Sequence, residues 1–98
     1  MIALIRHMVE QESPSFDKPA VDRMGRWLAD ELRRMGAEVQ VHRAEKFGDH
    51  LQADFAIGSG KPILLLGHFD TVWNLGTLKT MPWREDKGRL WGPGVLDM

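Results

Sequence analysis

Apolar residues recur at helical spacing in two stretches of the first third of the chain. The first stretch covers residues 1–12 and stops where Ser13-Pro14-Ser15 interrupts the pattern. The second covers residues 18–35, with Asp17 placed to cap its beginning and Gly36 placed to end it. Its apolar positions are Val21, Met24, Leu28, Leu32 and Met35. The pattern therefore predicts two helices, over residues 1–12 and 18–35.

Beyond the second predicted helix the apolar spacing changes from helical to alternating. Val39 and Val41 alternate with polar neighbours, and a second alternation runs from Leu51 to Ile57. Both segments are typical of half-exposed strands. Residues 63–66 are all apolar, which predicts a strand covered on both faces, as in a parallel sheet. We expect an α/β fold in which two helices precede a mixed, partly parallel sheet.

After Asp70 the spacing becomes irregular, which is typical of loops. A small hairpin is predicted around residues 85–89, and no repeat, low-complexity tract or linker divides the chain. At 98 residues the chain is one folding unit, near the small end for independent folding. Because few helices are available to cover a doubly apolar strand, we expect exposed apolar surface and a homo-oligomer or aggregates.

The composition narrows the class of protein. Thirteen Lys and Arg against 14 Asp and Glu give a net charge of -1, so nucleic acid is not an expected partner. The absence of cysteine excludes disulfides and thiolate metal sites, so any metal is held by imidazole and carboxylate, which favours zinc, manganese or cobalt. No apolar run approaches a membrane span, and we expect a cytoplasmic protein, with a signal on a longer precursor left open.

The strongest candidate chemistry lies at His68, where the apolar run ends. Ligands of open α/β sheets bind beyond the carboxyl ends of strands. Asp70 lies two positions on, hence on the same side of an extended chain, and is placed to accept a hydrogen bond from the ring nitrogen of His68 that binds no metal. Each feature also has an ordinary structural explanation: loop hydrogen bonding for His68, and turn or capping chemistry for Asp97 after Gly92-Pro93-Gly94.

Together these segments resemble the di-zinc exopeptidase family that includes acetylornithine deacetylase, succinyl-diaminopimelate desuccinylase, aminoacylase and the bacterial glutamate carboxypeptidases. The stretch from His68 to Val72 is similar to the family's first motif, and the stretch from Leu90 to Asp97 to its second. Glu12-Ser13-Pro14-Ser15 before a long helix resembles the family's opening, so the resemblance covers nearly the whole chain. The Gly-Pro-Gly form and the loop from Trp73 to Trp83 most resemble the glutamate carboxypeptidase branch. Met98 departs from the second motif, which often has Asp or Lys there.

The resemblance implies a role for each candidate residue. His68 would bind one of two Zn²⁺ ions, Asp97 would bridge them, and Asp70 would take part in catalysis by orienting His68; Co²⁺ or Mn²⁺ are alternatives to zinc. The family's general base and remaining ligands lie in later segments. The resemblance therefore implies that residues 1–98 are an incomplete N-terminal portion of a metallopeptidase catalytic domain, inactive alone.

For the complete protein the resemblance implies zinc-dependent hydrolysis of an amide next to a free carboxylate, as in a glutamate carboxypeptidase acting on small peptides. Two alternatives stay open. One is an N-acyl-amino-acid deacylase, because the family runs both reactions with one metal core. The other is a non-catalytic binding module that retains the fold without the metal site.

Overall fold

The computed structural model describes residues 1–97; Met98, where the second motif departs from the family, lies outside the described residues. Two α-helices open the chain, α1 (Ile2–Glu10) and α2 (Lys18–Arg34). Both predicted helices are present, and α1 is shorter than the predicted range of residues 1–12. None of the helices in the described part of the chain has the length and apolar content needed to cross a membrane.

Helix α2 begins and ends where its local chemistry requires. The Asp17 carboxylate accepts a hydrogen bond from the Ala20 backbone N–H at 3.0 Å, and Pro19 occupies the first turn. At the other end Gly36 takes φ 97°, a left-handed conformation that glycine adopts without a Cβ penalty. The buried face of the helix consists of Ala20, Val21, Met24, Gly25 and Ala29.

An antiparallel hairpin of β1 (Glu38–His42) and β2 (His50–Asp54) packs against α2. Its connecting loop is held by Lys18, whose ammonium lies 2.7 Å from Asp49 and 2.9 Å from Asp22. Gly48 lies so close to the helix that an added Cβ would be 2.1 Å from Val21 Cγ1. The loop and the helix therefore behave as one packed unit.

The predicted small hairpin is also present. It pairs β3 (Arg84–Asp86) with β4 (Arg89–Trp91) in antiparallel register. Lys87 and Gly88, between the strands, have φ of 47° and 74°, the combination found in a type I′ turn. The hairpin leads directly into the Gly-Pro-Gly segment.

The structure differs from the prediction at residues 63–66. No strand forms there, and Ile63, Leu64, Leu65 and Leu66 are 84–93% exposed. A strand needs neighbours to satisfy its backbone N–H and C=O groups, and residues 1–97 supply none here. Both sheets in the described residues are two-stranded and antiparallel, so the α and β content is as expected while the partly parallel sheet is not formed. Strand β2 also ends at Asp54, short of the predicted Ile57.

A small core joins the two helices to the segments that follow them. Its buried apolar residues are Val9, Ala20, Val21, Met24, Ala29 and Ala37, and its buried polar residues are Ser13 and Thr71. Ser13 and Thr71 belong to an isolated parallel bridge centred on Pro14 and Thr71. This bridge places the stretch after α1 beside the stretch that contains His68.

Candidate active site

The backbone around His68 is held by the segment between the two helices. Thr71 N–H donates to the Ser13 carbonyl at 2.8 Å, and Ser15 N–H donates to the Thr71 carbonyl at 2.9 Å. The Ser13 hydroxyl donates to the Phe69 carbonyl at 2.7 Å. Three hydrogen bonds across more than 50 residues of sequence therefore fix the peptide groups on either side of Asp70.

His68 is oriented through its Nδ1 atom. That nitrogen lies 3.1 Å from the Asp70 carbonyl oxygen and 3.3 Å from the Asp70 carboxylate, so in the tautomer protonated at Nδ1 it donates toward Asp70. On the other side of the ring, Nε2 lies 3.0 Å from a carboxylate oxygen of Asp97. With Nδ1 occupied by its proton, Nε2 carries the lone pair that a metal ion requires.

Acceptors surround the His68 ring and favour its charged form. The Asp70 carbonyl, which accepts from Nδ1, raises the pKa of His68 above its ordinary value, and the carboxylates of Asp70 and Asp97 act in the same direction. Since a metal ligand must be unprotonated, protons and metal ions compete for this nitrogen.

Asp97 reaches the site from a turn that packs on α1. A Cβ at Gly92 would lie 2.6 Å from Val9 Cγ1, so only glycine allows the turn to approach the helix this closely. Val95 N–H donates to the Gly92 carbonyl at 3.3 Å, and Asp97 N–H donates to the Gly94 carbonyl at 3.1 Å. The Gly-Pro-Gly segment thus brings a carboxylate back to His68.

His68, Asp70 and Asp97 line one open cleft of about 450 Å³. Ser15 and Trp73 also line it, although the sequence pattern assigned neither of them to a site. Trp73 is 41% exposed. The cleft is wide enough for a small organic molecule.

The donor set in this cleft fits part of a zinc site. Two donors bound at ordinary distances to one tetrahedral zinc lie about 3.3 Å apart, and His68 Nε2 and Asp97 Oδ1 are 3.0 Å apart. Residues 1–97 contain no group of three or more His, Asp or Glu side chains placed to hold an ion. The described residues therefore bring together two side chains that could act as zinc ligands, and a complete zinc site would need others.

Two residues beside the site were recognised by sequence only as part of a motif. Glu12 accepts hydrogen bonds from the Gly76 and Leu78 N–H groups, both at 3.0 Å, and Ser13 holds Phe69. The motif of residues 12–15 indicated a family resemblance. It could not predict these contacts, because the partners lie 56–66 residues further along the chain.

His7 and His42 make their side-chain contacts outside the cleft. The ring of His7 lies 4.4 Å from that of Trp27, between the two helices, and His42 pairs with Gln52 across the hairpin at 3.1 Å.

Over nearly its whole length the chain is similar to a hydrolase of the peptidase class. That relative is carboxypeptidase G2 from Pseudomonas sp. (strain RS-16), which is 28% identical over 99 residues. The alignment covers 99% of this chain and 24% of the relative, so the chain spans about a quarter of the length of the curated protein it matches. No family model matches the chain. The similarity supports the family resemblance drawn from the motifs and does not distinguish branches within it.

Proposed function

We propose that this chain is the N-terminal part of a metallopeptidase catalytic domain that hydrolyses an amide bond next to a free carboxylate, as a glutamate carboxypeptidase does. The observation that carries the proposal is the convergence of His68 Nε2 and Asp97 in one cleft, 3.0 Å apart, with Asp70 engaging the other ring nitrogen. The similarity to a carboxypeptidase supports the same class.

In this proposal each residue has a distinct role. His68 would hold one Zn²⁺ through Nε2, and Asp97 would bridge two Zn²⁺ ions; Co²⁺ or Mn²⁺ are alternatives. Bound zinc supplies Lewis-acid chemistry, making water nucleophilic near neutral pH and polarising the amide carbonyl. Asp70 holds the Nδ1 proton of His68, which fixes the ring orientation and keeps Nε2 free for the ion.

The proposal requires a longer chain. The described residues lack a third ligand group, and residues 63–66 lack the neighbours that would make them a strand. We propose that later segments supply the general base and the missing ligands, and that they cover residues 63–66 in a partly parallel sheet. Residues 1–98 alone are then inactive.

The test uses the full-length protein that contains this chain. Its metal content is measured, and hydrolysis is assayed on an N-acylated dipeptide ending in glutamate and on an N-acetyl amino acid. We expect bound zinc and release of glutamate, lost on chelation and restored by Zn²⁺. His68→Gln should lower the metal content and abolish turnover, whereas His50→Gln, at an exposed position of β2, should change neither.

Three other results would contradict the proposal in different ways. Hydrolysis of the N-acetyl amino acid alone would establish a deacylase. Bound metal without hydrolysis of either substrate would exclude both reactions. A protein that neither binds zinc nor hydrolyses either compound would be a binding module.

A further inference from the structure

We infer that Ser13 is a positioning residue for the candidate site, acting as part of a support formed by the end of α1 and residues 12–15. The expected effect of Ser13 on turnover rests on the proposed function. Its expected effect on the orientation of His68 rests on the structure alone. Ser13 is 1% exposed and does not line the cleft. Its effect is transmitted through Phe69.

Phe69 lies between His68 and Asp70 and is held at two points. Its carbonyl accepts from the Ser13 hydroxyl at 2.7 Å. Its ring packs on α2, where a Cβ at Gly25 would meet the ring at 3.4 Å. Because the peptide of Phe69 connects His68 to Asp70, fixing both its ring and its carbonyl sets the directions in which the two neighbouring side chains leave the backbone.

Glu12 ties a second stretch to the same support. Its backbone has φ 41°, a left-handed conformation that is costly for a residue with a Cβ. Its two carboxylate oxygens each accept one N–H, from Gly76 and from Leu78. This contact holds the loop that follows Trp73, a residue of the cleft wall.

The other half of the site rests on the same support. Val9, the last residue but one of α1, contacts Gly92 at the start of the turn that carries Asp97. The segment that carries His68 and the turn that carries Asp97 are therefore both held in place by contacts with residues 9–15. The 3.0 Å separation of His68 Nε2 from Asp97 depends on a support that contains neither residue.

The experiment compares Ser13→Ala with Ser59→Ala in the full-length protein. Ser59 lies in an exposed turn, so its variant controls for loss of a hydroxyl alone. The first readout is the His68 ring signal in the NMR spectrum of metal-free, histidine-labelled protein, assigned with His68→Gln. The second is kcat and KM with zinc bound, together with the visible spectrum of the Co²⁺-loaded protein.

In Ser13→Ala we expect a shifted and broadened His68 signal, altered Co²⁺ bands and a kcat lowered about ten- to a hundred-fold, the cost of a small misplacement of catalytic groups. KM should change little. Ser13→Thr, which keeps the hydroxyl, should restore part of kcat. Glu12→Gln and Glu12→Gly should both disturb the Trp73 loop, although glycine relieves the backbone conformation, because the carboxylate makes the contacts.

An unchanged His68 signal and unchanged kcat in Ser13→Ala, with only a lower melting temperature, would overturn the inference and leave Ser13 as a core residue. The proposed function fails separately, if the unaltered full-length protein neither binds metal nor hydrolyses substrate. The metal-free His68 signal then still decides whether Ser13 positions the ring.

Discussion

The two acceptors that Asp70 offers to His68 are not equivalent. The backbone carbonyl lies 3.1 Å from Nδ1 and the carboxylate 3.3 Å from it, so the main chain makes the shorter contact. Replacing the side chain leaves the carbonyl in place. The orientation of the ring is thus partly protected against substitution of the residue that provides it.

This difference sets the size of the effect expected for Asp70→Asn in the full-length protein. The neutral amide no longer raises the basicity of the ring, so turnover should fall about ten-fold, the low end of the usual range for such partners. Metal content, measured by mass spectrometry, should be nearly unchanged. Full turnover with full metal content would leave Asp70 as a loop residue.

Asp97→Ala provides the contrast in the same experiment. Asp97 faces Nε2 of His68 at 3.0 Å and its side chain is 85% exposed, so its replacement removes little packing. Its loss should reduce metal content as well as turnover, while the melting temperature of the metal-free protein stays the same. Asp54→Ala, an exposed change at the end of β2, controls for the loss of a carboxylate.

At the scale of elements, the loop between β1 and β2 is locked to α2 by packing and by charge. Gly48 contacts Val21, and Lys18 bridges Asp22 and Asp49. Asp49 also accepts from the Ala44 N–H at 3.0 Å and donates its own N–H to Asp22 at 2.8 Å. The loop end of the hairpin is therefore fixed to the helix.

Gly48→Ala should disrupt this packing. The new methyl group would overlap Val21, so either the loop or the helix must shift, at a cost of about 1–3 kcal/mol in the free energy of unfolding. Gly60→Ala is the matched control, because nothing lies within 4 Å of a Cβ at Gly60. Urea denaturation of both variants measures the difference; equal stabilities would show that the loop adjusts freely.

The charges at Asp49 and Lys18 predict how this unit responds to pH. The Lys18 ammonium and the Ala44 N–H lower the pKa of Asp49, so its contribution to stability is present above the unfolded value of about 3.9 and is lost as pH falls through the lower folded value. Asp49 and Asp22 raise the pKa of Lys18, so its contribution holds below about pH 10.4 and is lost as pH rises further.

Asp49→Asn should therefore lower the melting temperature at neutral pH and weaken its decline as the pH falls below about 4. Circular dichroism melts across this range measure the effect. Asp30→Asn removes an exposed carboxylate that pairs with Arg33 on α2. This change should leave the decline of the melting temperature at low pH unaltered. If the melting temperatures of Asp49→Asn and of the unaltered chain declined equally at low pH, Asp49 would not be the source of this pH dependence.

The elements read correctly from the sequence are those specified locally. Asp17, Gly36 and the Lys87-Gly88 turn act within a few residues, so their positions predict element boundaries directly. The predicted strand at residues 63–66 does not form within the described residues, because an apolar run shows only that burial is favourable and does not supply the surface that covers it. The proximity of Asp70 to His68 followed from spacing. The approach of Asp97 to His68 rested on family resemblance alone, since no local pattern encodes it.

At the scale of the whole molecule, the main feature is an apolar segment without a covering layer. Ile57 is 87% exposed, and Ile63, Leu64, Leu65 and Leu66 are 84–93% exposed. Contiguous exposed apolar side chains in an extended segment favour association with other chains. The exposure of these residues is the physical reason for which we expect a homo-oligomer, and that expectation stays a prediction.

The 98-residue chain should accordingly form dimers, higher oligomers or aggregates as its concentration rises. Replacing Leu64 and Leu66 by lysine should shift light scattering toward a monomer, because the charges oppose association of this segment. Ser59→Lys controls for added charge nearby. A compact monomer at high concentration with a cooperative melt would show instead that these residues form a self-sufficient domain.

The bridge between Ser13 and the His68 segment also has a kinetic consequence. It joins residues 56 positions apart, whereas the hairpin of β1 and β2 closes only the short loop between His42 and His50. By chain statistics the longer closure costs about 2 kcal/mol more in entropy. Helix α2 and the hairpin are therefore expected to form early and the bridge late. Partial unfolding would then release the long loop first, and the chain would lose the geometry of its cleft while most of its helical signal remained.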